Sequence, residues 1–152
     1  MDRVEQMIVA GQFQEAEKVI RDNAGDPRSQ YFAGLLAERQ GEPEKAIEAY
    51  EKVLETDPDS NAAMFRLAYV LDLHGDDERA IEMYEACTVR PPVNVNALIN
   101  LAILYEDHGE YESAAQCLRA ILGNHPNHPR ARLFIKDIDS AMNMFYDEDQ
   151  ER

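Results

Sequence analysis

GEPEKAIEAYEKVLETDP (residues 41–58) is echoed by GDDERAIEMYEACTVRPP (75–92) and again by GEYESAAQCLRAILGNHP (109–126). Each copy opens on a glycine (Gly41, Gly75, Gly109), carries an alanine five residues on (Ala46, Ala80, Ala114) and closes on a proline (Pro58, Pro92, Pro126). The spacing between copies is 34 residues, from 75 − 41 and from 109 − 75. A fixed period of this length marks a stacked helix–turn–helix array. Each glycine stands where a helix ends and a positive φ angle is needed. Each alanine lets two antiparallel helices approach closely, and Gly34, Ala68 and Ala102 do the same from the facing helix. His74 and His108 sit just before two of the glycines, where an imidazole suits the negative end of a helix.

Working outward, the period predicts three units, 27–60, 61–94 and 95–128. Their helices are expected at 28–40 and 43–55, 62–74 and 77–89, and 96–108 and 111–122. Asp59 or Ser60 can cap the helix that begins the second unit. Upstream, residues 2–10 and 13–23 read as a short helix pair, with Gly11 as a left-handed cap. The spacing from Gly11 to Ala16 matches that from Gly41 to Ala46, but the offset is 30 residues, so 2–26 reads as a degenerate unit. Downstream, 130–146 is expected as a capping helix and 147–152 as a charged, frayed tail. The whole of 1–146 is expected to form one domain.

The totals agree with a helical protein of this kind. The chain has 152 residues, 45% of them hydrophobic, and a formal net charge of −15. That charge repels phosphate backbones and anionic lipid, so neither nucleic acid nor membrane is an expected direct partner. It suits a basic partner, or serves solubility alone. Two cysteines, Cys87 and Cys117, are too few for a secreted disulfide scaffold. Neither a signal-peptide run nor a stretch of about 20 apolar residues is present, and a cytoplasmic location is expected.

With these residues in place, the chain resembles the tetratricopeptide repeat (TPR) family. The matching residues are Gly34, Ala46, Tyr50 and Pro58 in the first unit. In the second they are Leu67, Ala68, Ala80, Tyr84 and Pro92, and in the third Leu101, Ala102, Tyr105, Ala114 and Pro126. The bulky aromatic expected at place four is replaced by Gln30, Met64 and Leu98, and Leu118 stands where place 24 is aromatic in the family. The resemblance implies an all-α fold, a right-handed α-solenoid of antiparallel helix pairs. It also implies a concave groove, lined by the first helix of each pair, that binds peptides.

By the same resemblance, places 2, 5, 6, 9, 12 and 13 of each unit face that groove. Place 5 reads Tyr31, Phe65, Ile99, and place 9 reads Leu35, Tyr69, Ile103. If exposed, these six form an apolar floor on one helical stripe. Ordinary packing is the alternative at place 5. Place 12 reads Glu38, Asp72, Glu106, either an acidic row beside the floor or a solvated edge. Arg66, Asn96 and Asn100 could hydrogen-bond a peptide backbone. The expectation is a groove for a peptide or helical segment with a basic amphipathic face. The positions that grip a C-terminal carboxylate in chaperone-binding members hold Tyr31, Leu35, Arg66, Asn96 and Asn100 here, none of them the required residue.

No enzyme constellation is legible, and no cofactor or metal is expected. His125 and His128 have a ligand-like spacing but lie in a proline-broken turn without a third donor. The cysteines lack a neighbouring His base and read as core. The final helix is unusual for a cap. Ala131, Phe134, Ile138, Ala141 and Phe145 make one apolar stripe, while Leu133, Ile135, Met142, Met144 and Tyr146 fall on other faces. Such residues could be harmlessly exposed, form a homodimer seam, or meet further chain beyond Arg152. The whole stretch, and Met142 to Arg152 especially, is also similar to bacterial proteins in which TPRs precede a domain like that of the RNA polymerase alpha C-terminus. That similarity implies a transcription-linked role. The competing functional reading is a structural oligomerisation arm or spacer.

Overall fold

The computed structural model describes residues 1–151; Arg152, and the side chains of Tyr146 and residues 148–151, lie outside the described residues. Among the described residues every regular element is an α-helix. In order these are α1 (Val4–Val9), α2 (Phe13–Asp22), α3 (Ser29–Arg39), α4 (Pro43–Thr56), α5 (Asn61–Leu73), α6 (Asp77–Cys87), α7 (Val95–Asp107), α8 (Tyr111–Asn124) and α9 (Pro129–Glu151). The chain divides into two compact units, α1 to α6 within Met1–Cys87 and α7 to α9 from Thr88 onward.

The glycine-ended copies behave as their chemistry demands. Gly11, Gly41, Gly75 and Gly109 have φ between 71° and 86°. At Gly41 the amide donates to the Glu38 carbonyl at 3.1 Å, and the next amide, Glu42, reaches back to Ala37 at 2.9 Å. Gly75 with Asp76 and Gly109 with Glu110 repeat that pair of bonds. This closes the orphan carbonyls of a helix end and turns the chain sharply into the next helix.

Helix starts are more varied. Ser60, not Asp59, caps α5: its hydroxyl accepts from the Ala63 amide at 3.2 Å. Asn94 caps α7 by accepting from Asn96 and Ala97. Asp76 accepts from the Arg79 amide at the start of α6. His128 Nδ1 accepts from the Ala131 amide at 3.1 Å, so this ring starts α9, with Pro129 at the first helical position.

In the first unit, α3 packs on α4, α5 on α6, and α4 on α5, while α1 and α2 lie against α3. Ala46, Ala68 and Ala80 are wholly buried at these contacts. Gly34 faces the Tyr50 ring so closely that an added Cβ would lie 2.4 Å from it. In the second unit α8 packs against both α7 and α9, with Ala102, Ala114, Leu118, Ala131 and Ile138 wholly buried. The tail departs from expectation. The helix does not stop at residue 146 but runs to Glu151. No Gly or Pro interrupts the chain from Ala131 to Glu151, so nothing ends it sooner. Among the described residues no helix is long and apolar enough to cross a membrane.

Candidate functional site in the first unit

The aromatic residues at place 5 lie on buried partners. The Tyr31 ring is 5.9 Å from Tyr50 at 57°, and the Phe65 ring is 6.1 Å from Tyr84 at 58°. Tyr50 and Tyr84 are wholly buried. Tyr31 and Phe65 are therefore half-buried plates against the helix behind them. Leu35 and Phe32 pack against the cluster formed by Val4, Ile8, Ala16 and Leu36. The apolar residue at place 9 of the first repeat thus serves the short N-terminal helices, which cover that part of α3.

Ile99 is a correction to the expected floor. It is 2% exposed, so its side chain is core and not a contact surface. Its neighbours in α7 differ: Asn96 is exposed, and Asn100, Ile103 and Glu106 are half-buried.

The acidic row is also changed by its surroundings. Glu38 Oε2 accepts from Arg66 Nη2 at 2.7 Å and from Arg66 Nε at 3.0 Å, and the Tyr50 hydroxyl donates to the same oxygen at 2.5 Å. The Glu38 side chain is only 9% exposed and that of Arg66 28%. Burial, then the Glu38 carboxylate, pushes the Tyr50 phenol well above its usual range. Burial opposes the charge on Arg66, but its bonds to Glu38 outweigh that and raise its pKa. Glu38 is therefore committed to an internal ion pair that ties α3 to α5. Asp72 remains half-buried on α5.

Arg66 carries the network outward. Its guanidinium lies 5.5 Å from the centre of the Tyr69 ring, in cation–π geometry. Tyr69 is 37% exposed and Leu73, one turn further along α5, is 72% exposed. These residues line a cleft of about 580 Å³ with Glu38, Arg39, Glu42, Val70 and His74. Arg39 and Leu73 both occupy place 13, so the 34-residue ruler already pointed at them. His74, one place on, carried a signal only for capping. A second cleft, about 680 Å³, is lined by Tyr31, Phe32, Val53, Ala62 and neighbours.

Comparison with known proteins agrees with this architecture. Tetratricopeptide repeat models match residues 9–60, 31–94 and 95–138. MamA shares 21% identity with the chain at a TM-score of 0.80, covering 94% of this chain and 86% of its own. A tetratricopeptide repeat protein from Parabacteroides merdae gives 23% and 0.80, over 97% of this chain and 60% of its own. YrrB, described as a TPR protein with an unusual peptide-binding site, gives 19% and 0.71, over 88% of this chain and 71% of its own. No curated protein matches. The chain belongs to the tetratricopeptide repeat family, and its fold is that of a protein-interaction scaffold.

Proposed function

We propose that the chain is a non-enzymatic interaction module whose first unit takes a peptide or helical segment in the cleft around Tyr69. The carrying observation is the juxtaposition of a partly exposed aromatic ring, an exposed leucine and an anchored guanidinium: Tyr69, Leu73 and Arg66. Aromatic and arginine anchors flanked by apolar surface are the chemistry of peptide contacts. Arg66 is held by Glu38, so it meets a ligand with little loss of side-chain freedom. Asp72 extends the proposed contact set, and Glu38 anchors Arg66 within it; in the second unit Asn96, Asn100, Ile103 and Glu106 are proposed as a contact surface of their own. The partner carries an apolar face for Tyr69 and Leu73 and a basic face suited to a chain of net charge −15.

A panel of labelled amphipathic helical peptides, basic and acidic versions of one apolar face, tests this by fluorescence anisotropy. Basic versions bind and weaken with added salt. Tyr69→Ser with Leu73→Ser lowers affinity by about tenfold or more. Equal binding by that variant, or preference for the acidic peptides, overturns the reading. A second reading, a structural arm within a larger and transcription-linked assembly, is favoured by one observation, the exposure of Leu133, Met144 and Phe145 on α9.

A further inference from the structure

The two clefts of the first unit lie at opposite ends of one groove. Short turns join α3 to α4 and α4 to α5, and each pair packs together, so α4 runs back and α3 and α5 point the same way. The Tyr69 cleft lies where α3 and α5 end and α4 begins, with Glu38, Arg39, Pro43, Tyr69 and Leu73 among its walls. The second cleft, of about 680 Å³, lies where α3 and α5 begin and α4 ends. Its walls include Tyr31 and Phe32 of α3, Val53 and Thr56 of α4, and Ala62 of α5.

Both clefts open on the same stripes. On α5, Ala62, Arg66, Tyr69 and Leu73 follow one another at intervals of four, three and four residues, which places them on one face. Ala62 lines the second cleft, and the other three line the first. On α3, Tyr31 and Glu38 are two turns apart and divide in the same way. The Glu38–Arg66 ion pair crosses from helix to helix between the two ends. Ala62 lies seven residues before Tyr69 and eleven before Leu73. Along the helix axis these spacings are about 11 and 16 Å.

The two ends differ in charge. At the Tyr69 end the carboxylates are matched, Glu38 by Arg66 and Glu42 by Lys45, and Arg39 adds a cation. At the Ala62 end Asp57 is exposed, and Arg28 is bound to both Asp2 and Asp26, which leaves a negative surplus. The flank of α3 also already receives a helix. Val4 and Ile8 of α1, four residues apart, are buried in the cluster on which Phe32 and Leu35 pack.

We propose, on the reading of the Tyr69 cleft as a peptide site, that the partner segment is a single amphipathic helix occupying both clefts. One apolar side chain enters between Tyr31, Val53 and Ala62, and two more, seven and eleven residues along, meet Tyr69 and Leu73. Its basic residues flank the first of these anchors. A helix repeats its face at those spacings, as α5 does, so the three contacts form together. The acidic surroundings of Asp57 place the partner's positive charge at that end of the groove.

Two labelled peptides, cross-linked to hold them helical, test this by fluorescence anisotropy. The short one carries only the anchors for Tyr69 and Leu73. The long one adds the third anchor with two lysines beside it, and binds about tenfold or more tighter. Ala62→Trp fills the second cleft, removes that gain and leaves the short peptide's affinity unchanged. Asp57→Lys weakens the long peptide, and exchanging the peptide's lysines for glutamates restores binding to that variant. Tyr69→Ser with Leu73→Ser weakens both peptides. Ala62 and Asp57 are exposed, and unchanged thermal melting of their variants shows that folding is intact. A short peptide that binds beside a long one that gains nothing overturns the two-cleft groove and leaves the Tyr69 site standing. So does a gain that survives Ala62→Trp, or charge exchange that fails to restore binding to Asp57→Lys. Binding by neither peptide overturns both.

Discussion

Repeats 27–60 and 61–94 share a skeleton and differ in what they present. In both, an aromatic ring at place 5 lies about 6 Å from a buried tyrosine, at nearly the same tilt. In both, the Gly-ended turn has the same two backbone bonds. Yet the first repeat has Gly34 where the second has Ala68, Phe32 where the second has Arg66, and Leu35 where the second has Tyr69. Phe32 and Leu35 of the first repeat turn toward α1 and α2, and Arg66 and Tyr69 of the second toward a cleft. Matching backbone frames thus become a packing face and a candidate binding face through two side chains each. Positions that set helix contact are constrained by close packing, whereas outward positions answer only to what covers them.

The largest test of this contrast is Arg66→Leu. It leaves the Glu38 carboxylate nearly buried with only the Tyr50 hydroxyl, at a cost of about 2–4 kcal/mol in urea unfolding at neutral pH. Pairing it with Glu38→Leu returns most of that loss, because the uncompensated charge is gone. Asn100→Ala, at Arg66's place one repeat on, costs about 1 kcal/mol or less, as a neutral amide brings no such charge. Equal costs at Arg66 and Asn100 would show that the two repeats do not differ in this way.

Gly34→Ala comes next. The Tyr50 ring must move to admit the methyl group, and the overpacking of about 1–3 kcal/mol exceeds the gain of up to about 1 kcal/mol in helix propensity. The reverse change in the second repeat, Ala68→Gly, costs about 1 kcal/mol through helix propensity and a lost buried methyl. A Gly34→Ala variant with a raised melting midpoint would contradict the close approach.

Tyr50→Phe costs about 1 kcal/mol at pH 7 for the lost hydrogen bond. Its pH signature is more specific. Burial and Glu38 raise the Tyr50 pKa in the folded state. The stability this represents is whole below the unfolded phenol value near pH 10 and is lost as pH rises past it. Wild type therefore declines more steeply above about pH 10 than Tyr50→Phe does. Identical alkaline slopes would remove Tyr50 from the network. Smallest is Ser60→Ala, about 0.5–1 kcal/mol, for the lost cap of α5.

Apart from the far end of α9, the elements were readable within one or two residues because helix ends are local events. A glycine at positive φ, a proline after a turn and a small residue at a helix contact are each enforced by nearby backbone. The site was readable only in part. Tyr69 and Arg66 stood out in the 34-residue frame, and place 13 held Arg39 and Leu73. Leu35, Glu38 and Ile99 looked the same in that frame, yet a cluster, an ion pair and burial had already claimed them. The partners of Leu35 are as distant as Val4 and Ile8, and Glu38 meets Arg66 across 28 residues. Periodicity holds no information about which outward side chain another element covers.

By itself the amino-acid sequence determined the period, the helix pairs, the glycine turns and the small-residue contacts, because each depends on conformational preferences within a few residues. Only the tertiary structure decided that Glu38 is paired with Arg66 and hydrogen-bonded by Tyr50, that α1 and α2 cover Leu35, and that α9 leaves Leu133 and Met144 uncovered. Burial and ion pairing are properties of neighbours in space, and helices that are alike in sequence acquire different surfaces from what lies against them.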